Sequence, residues 1–213
     1  MEVRDAYLAD LQGILEIYNE VVTNSTAVWT DGSDDLANRR RWFESRQGRG
    51  FSVLVAVEDG NIVGYSSFGE FRAWSGYRHT VEHSIYVRAD RRRTGVGRAL
   101  LSALVERARA YGAHAMIGGI EAGNGGSLAL HQRLGFREVA RMPEVGCKFG
   151  RWLDLVLMQL LLDSCQSPRR QFPKLGAGLA VWWKKSPAIE RALFPEWRRR
   201  LAGVFSDHSV HCC

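Results

Sequence analysis

Cysteine is scarce in this 213-residue chain and poorly placed: the four are Cys147, Cys165, Cys212 and Cys213, the last two adjacent. That spacing excludes a disulfide framework and a zinc site, and no catalytic cysteine or metal ligand is assigned. No apolar run approaches the ~18 residues that a membrane span needs, and no charged-then-apolar leader opens the chain, so a cytoplasmic protein is expected. A charge excess is also missing from most of the length. Residues 1–162 hold 20 Lys/Arg against 19 Asp/Glu, whereas residues 163–213 hold 9 against 4. The net charge of +6 is therefore a property of the tail and does not predict a nucleic-acid-binding domain. Proline is nearly absent before residue 168, after which Pro168, Pro173, Pro187 and Pro195 recur among Arg169-Arg170, Trp182-Trp183, Lys184-Lys185 and Arg198-Arg199-Arg200. One domain over 1–162 is expected, followed by a basic, poorly ordered extension over 163–213. The competing reading of the extension is a basic aromatic arm for nucleic acid or an anionic surface.

The most informative stretch runs from Ser84 to Leu100. Its β-branched and aromatic residues Ile85-Tyr86-Val87 read as a strand that passes through the basic turn Arg88–Thr94 and Gly95-Val96-Gly97 into a helix. A helix N-terminus presents unpaired N–H groups and partial positive charge, so glycines that admit an anion there make a phosphate cradle. A P-loop would need a lysine and a hydroxyl that are not in place. A dinucleotide-binding turn would need a third glycine where Leu100 stands. What remains is Arg92-x-x-Gly95-x-Gly97, and here the chain resembles the GNAT superfamily of N-acetyltransferases, which hold the pyrophosphate of acetyl-CoA on such a turn. The alternative is a tight strand-to-helix turn with a solvated arginine face.

A second segment, Asn124-Gly125-Gly126-Ser127-Leu128-Ala129-Leu130-His131-Gln132-Arg133-Leu134-Gly135-Phe136, resembles the superfamily's other signature, with His131 where a tyrosine is common. Phe71-Arg72, Val81-Glu82-His83-Ser84 and Phe149-Gly150-Arg151-Trp152-Leu153-Asp154 are similar to the branch of phosphinothricin and methionine sulfoximine/methionine sulfone acetyltransferases. That form is more similar to the methionine sulfoximine side, and Leu153, where a phosphinothricin enzyme tends to carry histidine, makes phosphinothricin the less expected acceptor.

Apolar spacing at Leu11, Ile14, Leu15 and Tyr18 predicts a helix with Asp10 as its N-cap. A second helix is expected over Leu36–Arg46, burying Trp42 and Phe43. Two strands around Glu58-Asp59-Gly60-Asn61 read as a hairpin. After the glycine turn come a helix, a strand over 115–120, a helix and two closing strands. The expected class is α/β, with the mixed, largely antiparallel sheet and helices on both faces that the superfamily implies.

The resemblance implies roles for particular residues. Glu82 is the expected general base for the acceptor amine, with an ion pair to Arg72 or Arg78 as the alternative. His131 either protonates the leaving thiolate or contacts the cofactor. Backbone around Ile85, Tyr86 and Val87 is expected to meet the acetyl thioester. Arg92, Arg93, Thr94, Gly95, Val96, Gly97 and Arg98 are expected at the pyrophosphate, with Asn124 and Ser127 nearby. Arg72 and Arg78 are the candidate grip for an acceptor carboxylate. Trp29, Phe71, Trp74 and His83 complete the expected acceptor pocket, and Lys148 to Trp152 a lid or dimer contact. These point to an acetyl-CoA-dependent N-acetyltransferase of small amino acids, homodimeric, with no nucleic-acid or membrane partner and a detoxifying role. Competing readings are phosphinothricin, protein, lysine or polyamine acetylation, and a non-enzymatic acyl-CoA or nucleic-acid binding protein.

Overall fold

A computed structural model describes residues 1–163, which fall within one compact unit. The expectations for the tail from residue 164 onward lie outside the described residues.

Seven strands form one sheet in the order β1-β2-β3-β4-β5-β7-β6. They are β1 (Glu2–Asp5), β2 (Val53–Glu58), β3 (Asn61–Glu70), β4 (Thr80–Val87), β5 (Ala115–Glu121), β6 (Arg137–Lys148) and β7 (Arg151–Leu161). Every neighbouring pair is antiparallel except β4 and β5. That parallel pair needs a crossover, and α3 (Val96–Tyr111) supplies it. The other helices are α1 (Leu11–Asn24), α2 (Leu36–Gly48) and α4 (Gly125–Arg133). Among the described residues no helix is long and apolar enough to cross a membrane.

The expected β2–β3 hairpin is present, with Glu58 opposite Asn61 and positive φ at both Asp59 and Gly60, the conformation of a two-residue I′ turn. Strand β1 has no counterpart in the sequence reading, because four residues with three charges show no apolar alternation. Asp10 stands at the N-cap of α1 but does not cap it. Its carboxylate turns back to accept from the Tyr7 N–H and from Arg4, both at 2.7 Å. Arg4 holds the Asp10 carboxyl below the usual carboxylate range. Asp35 is a true cap, accepting from the Asn38 N–H at 2.7 Å. In α2, Phe43 is buried as expected, whereas Trp42 is only half-buried and meets Tyr65 edge-on.

Apolar side chains divide between the two faces. Leu100, Leu101, Leu104 and Ala108 of α3 pack with Met116, Ile120, Val156 and Met158 on one face. Leu11, Ile14 and Ile17 of α1 and Phe43 of α2 pack with Val55 and Tyr65 on the other. Strand β4 lies between these layers and serves both, so consecutive residues in it face different environments.

Candidate active site

Strand β4 pairs with β5 only from Thr80 to His83, opposite Ala115 to Gly118, while its pairing with β3 continues to Val87. Beyond His83 the sheet therefore splays, and one edge of β4 is left without a ladder. Alternation decides which backbone groups face that gap. The Arg88 N–H donates to Val63 of β3 at 3.0 Å, so Tyr86 is also turned toward β3, where it pairs with Tyr65. Ile85 and Val87 are turned the opposite way, into the splay. The expected thioester contact from Tyr86 is thus corrected: its backbone belongs to the β3 ladder, and its ring packs with Tyr18 and Tyr65.

The glycine turn leads from the end of this edge into α3. Gly95 caps the helix with φ of 97°, a left-handed conformation that favours glycine, and nothing lies within 4 Å of where its Cβ would be. The helix ladder begins with the Ala99 N–H donating to Gly95, so the N–H groups of Val96, Gly97 and Arg98 have no helical carbonyl to meet. Arg92, Arg93, Thr94 and Arg98 surround the turn and are exposed, with the Thr94 hydroxyl donating to the Arg91 carbonyl at 2.7 Å. Val96 is buried, so only its backbone remains for a ligand.

Gly97 serves packing as well. A Cβ there would stand 3.3 Å from Leu130 of α4 and 3.7 Å from Val87. A branched side chain would push α4 away from the turn, so Gly97→Val bears on folding as well as on cofactor binding. We expect both to fall, with a stability loss of about 1–3 kcal/mol from overpacking. Chemical denaturation beside acetyl-CoA titration would check this.

Asn124 and Ser127 lie at the start of α4, where the Asn124 side-chain oxygen caps the helix by accepting from the Ser127 N–H at 3.1 Å. One turn on, His131 is buried. Its Nδ1 lies 2.7 Å from the Ser127 carbonyl and its Nε2 lies 3.1 Å from His83 Nε2. The carbonyl requires a proton on His131 Nδ1, so His131 Nε2 accepts and His83 Nε2 donates. His83 Nδ1 is then left buried without a hydrogen-bond partner. Burial depresses both imidazoles, His83 to about 3, and the pair is neutral. Two expectations change. His83 faces α4 rather than the acceptor, because it follows Glu82 in a strand and must point to the other face. His131 carries one N–H, held by Ser127, and has no proton directed at a leaving group.

Glu82 is on the face shared with α1 and α2. Its Oε1 would lie 3.4 Å from a Cβ on Gly119 of β5, and Gly119 is exposed although it sits mid-strand. The bare glycine is the floor of an open groove beside the carboxylate. Solvent reaches Glu82, yet desolvation raises its pKa above the ordinary carboxylate value, with Arg72 and then Arg46 pulling the other way. No described ion pair involves Glu82, so the alternative of a salt bridge to Arg72 or Arg78 is not realised.

The expected acceptor residues separate into three places. Trp29 lies over Gly146 of β6, and its indole N–H donates to Thr26 at 2.7 Å. Phe71, Arg72, Trp74 and Arg78 lie on the loop between β3 and β4. Arg72 lies 4.9 Å from the Phe71 ring centre, and with Trp74 and Arg78 it lines a hollow of about 140 Å³ that also takes in Val81 and Tyr111. Val81 packs on the α3 face, so the hollow opens on that side of the strand, while the charge of Arg72 still reaches Glu82. His83 is buried as described.

Three residues were missed, and a fourth, Lys148, stood only in the segment expected as a lid or dimer contact. Arg46 and Gly119 adjoin Glu82. Glu121 accepts from the Thr26 hydroxyl at 3.1 Å, and Lys148 donates to Val22 and Val28 at 2.6 Å each. These last two bonds tie the loop that carries Trp29 to the closing strands. The turn Phe149-Gly150 after Lys148 is a tight hairpin rather than a lid, with φ of 50° and 69°. The glycine doublet Gly118-Gly119 inside an apolar strand was the one available signal for a close approach.

A splayed parallel pair, a glycine-capped helix N-terminus at its mouth and a carboxylate on the adjoining strand define an acyl-transfer site that takes a phosphate-bearing donor. The chain belongs to the acetyltransferase (GNAT) family, whose model matches residues 14–136. It is 54% identical over 166 residues to the L-methionine sulfoximine/L-methionine sulfone acetyltransferase of Pseudomonas aeruginosa, covering 78% of this chain and 96% of that one. It is 52% identical over 168 residues to the L-amino acid N-acyltransferase MnaT of Escherichia coli, covering 79% and 98%. Among solved structures, it is similar to yncA of Salmonella typhimurium with its cofactor acetyl-CoA, at 48% identity and a TM-score of 0.79 over 80% of this chain and 99% of that one.

Proposed function

We propose that the protein transfers the acetyl group of acetyl-CoA to the α-amino group of a small L-amino acid of the methionine sulfoximine or methionine sulfone type. The observation that carries this reading is Glu82, a carboxylate of raised pKa beside the exposed backbone of Gly119 and next to the strand splay. Its likeness to acetyltransferases of those two amino acids supplies the acceptor class.

Acetyl-CoA supplies the activated thioester. The N–H groups at the start of α3 and the exposed Arg92, Arg93 and Arg98 hold its pyrophosphate. Backbone N–H groups of Ile85 and Val87 face the thioester oxygen and favour the negative charge that grows there as the amine attacks. Glu82 takes the amine proton, directly or through a water. Arg72 is the loop-side cation of the acceptor site, and Trp29 is part of its wall. In this reading residues 1–162 carry the chemistry, and the protein acts as a cytoplasmic homodimer that detoxifies its acceptor.

A panel of amines assayed for acetyl-CoA-dependent thiol release tests the proposal. Methionine sulfone and methionine sulfoximine are expected to turn over faster than phosphinothricin, spermidine or a lysine peptide. Faster acetylation of spermidine or the peptide would overturn the acceptor class.

A further inference from the structure

Helix α2 turns two arginines toward the sheet, and the protein treats them differently. Arg39 is buried with a carboxylate of its own, Asp34 at 2.5 Å, and its guanidinium lies over Tyr18 and Trp42. Arg46, two turns on, is half-buried, and the one described hydrogen bond of its side chain runs from Nη1 to the Phe68 carbonyl at 3.2 Å. A guanidinium has five donors, so most of this one is uncommitted among the described residues. The nearby carboxylate of Glu70 is already paired with Arg49 at 2.7 Å. The Phe51 ring centre lies 5.8 Å from the guanidinium carbon and no described carboxylate pairs with it, so its free N–H groups are available to an anion.

Its location specifies the partner. Gly69 of β3 is directly opposite Glu82 of β4, and the Cβ atoms of such a pair stand about 4.5–5.5 Å apart on one face. At Gly69 the place of the Cβ is taken by the Arg46 guanidinium itself. A fixed cation therefore stands next to the carboxylate that faces the acceptor, without forming an ion pair with it. An α-amino acid carries its ammonium and carboxylate on one carbon, which matches an acid and a guanidinium at neighbouring cross-strand positions.

We infer that Arg46 binds the α-carboxylate of the acceptor, as the fixed half of a clamp whose loop-side half is Arg72. This rests on the amino-acid reading above. Gly69 is part of the device, because any side chain there would evict the guanidinium.

The test is steady-state kinetics of the full chain with methionine sulfone and with its carboxamide, for the wild type, Arg46→Met, Arg46→Lys and Gly69→Ala. Arg46→Met should raise the KM for methionine sulfone about 10–100-fold, the worth of a charge-assisted hydrogen bond, while the KM for the carboxamide and for acetyl-CoA changes little. Arg46→Lys should recover part of the loss. Gly69→Ala should reproduce the selective rise without touching the arginine. It has no positive φ to strain, so it keeps the test open if Arg46→Met fails to fold. Equal increases for acid and carboxamide, or no increase in folded variants, would overturn the role of Arg46. A wild type that does not distinguish acid from carboxamide would instead overturn the amino-acid reading, and this inference with it.

Discussion

Glu82→Gln is expected to lower turnover by about 10²–10⁴-fold, the range that a positioned general base contributes, while acetyl-CoA binds as before. The amide is nearly isosteric and keeps the groove over Gly119, but it cannot accept the amine proton. The wild-type profile should reflect the raised pKa of Glu82, set first by desolvation and opposed by Arg72 and Arg46. Activity should be low where that carboxyl is protonated and should rise as pH climbs through its pKa, above the ordinary value of 4.5. The variant should lose this limb. Stopped assays across the acidic range, with cofactor affinity measured separately, check both points. Wild-type turnover in the variant, or loss of cofactor binding along with turnover, would remove the base assignment.

The second large effect is on stability. His83 and His131 are stacked, buried and neutral, with ring centres 5.0 Å apart. The unfolded chain takes up a proton on each near pH 6.5, whereas the folded His83 does so at about 3. Between those values the unfolded state binds more protons, so stability falls as pH falls, by about 2 kcal/mol at pH 5 from His83 alone. His131, also depressed by burial, adds in the same direction. Glu82 works against this, because its raised folded pKa makes the native state the better proton binder just above its ordinary value. His83→Leu should therefore flatten the loss of stability between pH 7 and pH 5. Near neutrality its effect should be smaller, since removing the unpartnered Nδ1 offsets the lost bond to His131. Urea melts at several pH values decide this, and an unchanged acid slope in the variant would refute the buried pair as its source.

The splay gives these two predictions a common origin. Glu82 and His83 are adjacent, and a strand sends adjacent side chains to opposite faces, so one enters the open groove and the other the dry layer beneath α4. The alternation was available from the sequence. Applying it would have kept His83 out of the acceptor pocket and separated Tyr86 from Ile85 and Val87. The role of Gly97 was legible only in part. Its position at a helix N-terminus pointed to an anion, but its neighbour Leu130 is far along the chain and no local pattern connects them.

Arg46 shows the limit most plainly. In sequence it is one of several arginines in a polar helix whose large apolar residues beyond the first turn are Trp42 and Phe43. Its meaning depends on Gly69 and Glu82, which come from two other strands and meet it only through the β3–β4 register. Lys148 is similar: its segment suggests a lid or dimer contact until α1 and its following loop bring the carbonyls of Val22 and Val28 to its ammonium.

By itself the sequence determined the family, the order of elements, the phosphate-binding turn and the carboxylate beside it, because each rests on local spacing or on a contiguous signature. The tertiary structure alone decided which backbone groups face the splay, that burial holds the two stacked histidines neutral, and that Arg46 joins Arg72 beside Glu82. Those are properties of strand register and of contacts between distant segments, and no short stretch of the chain encodes them.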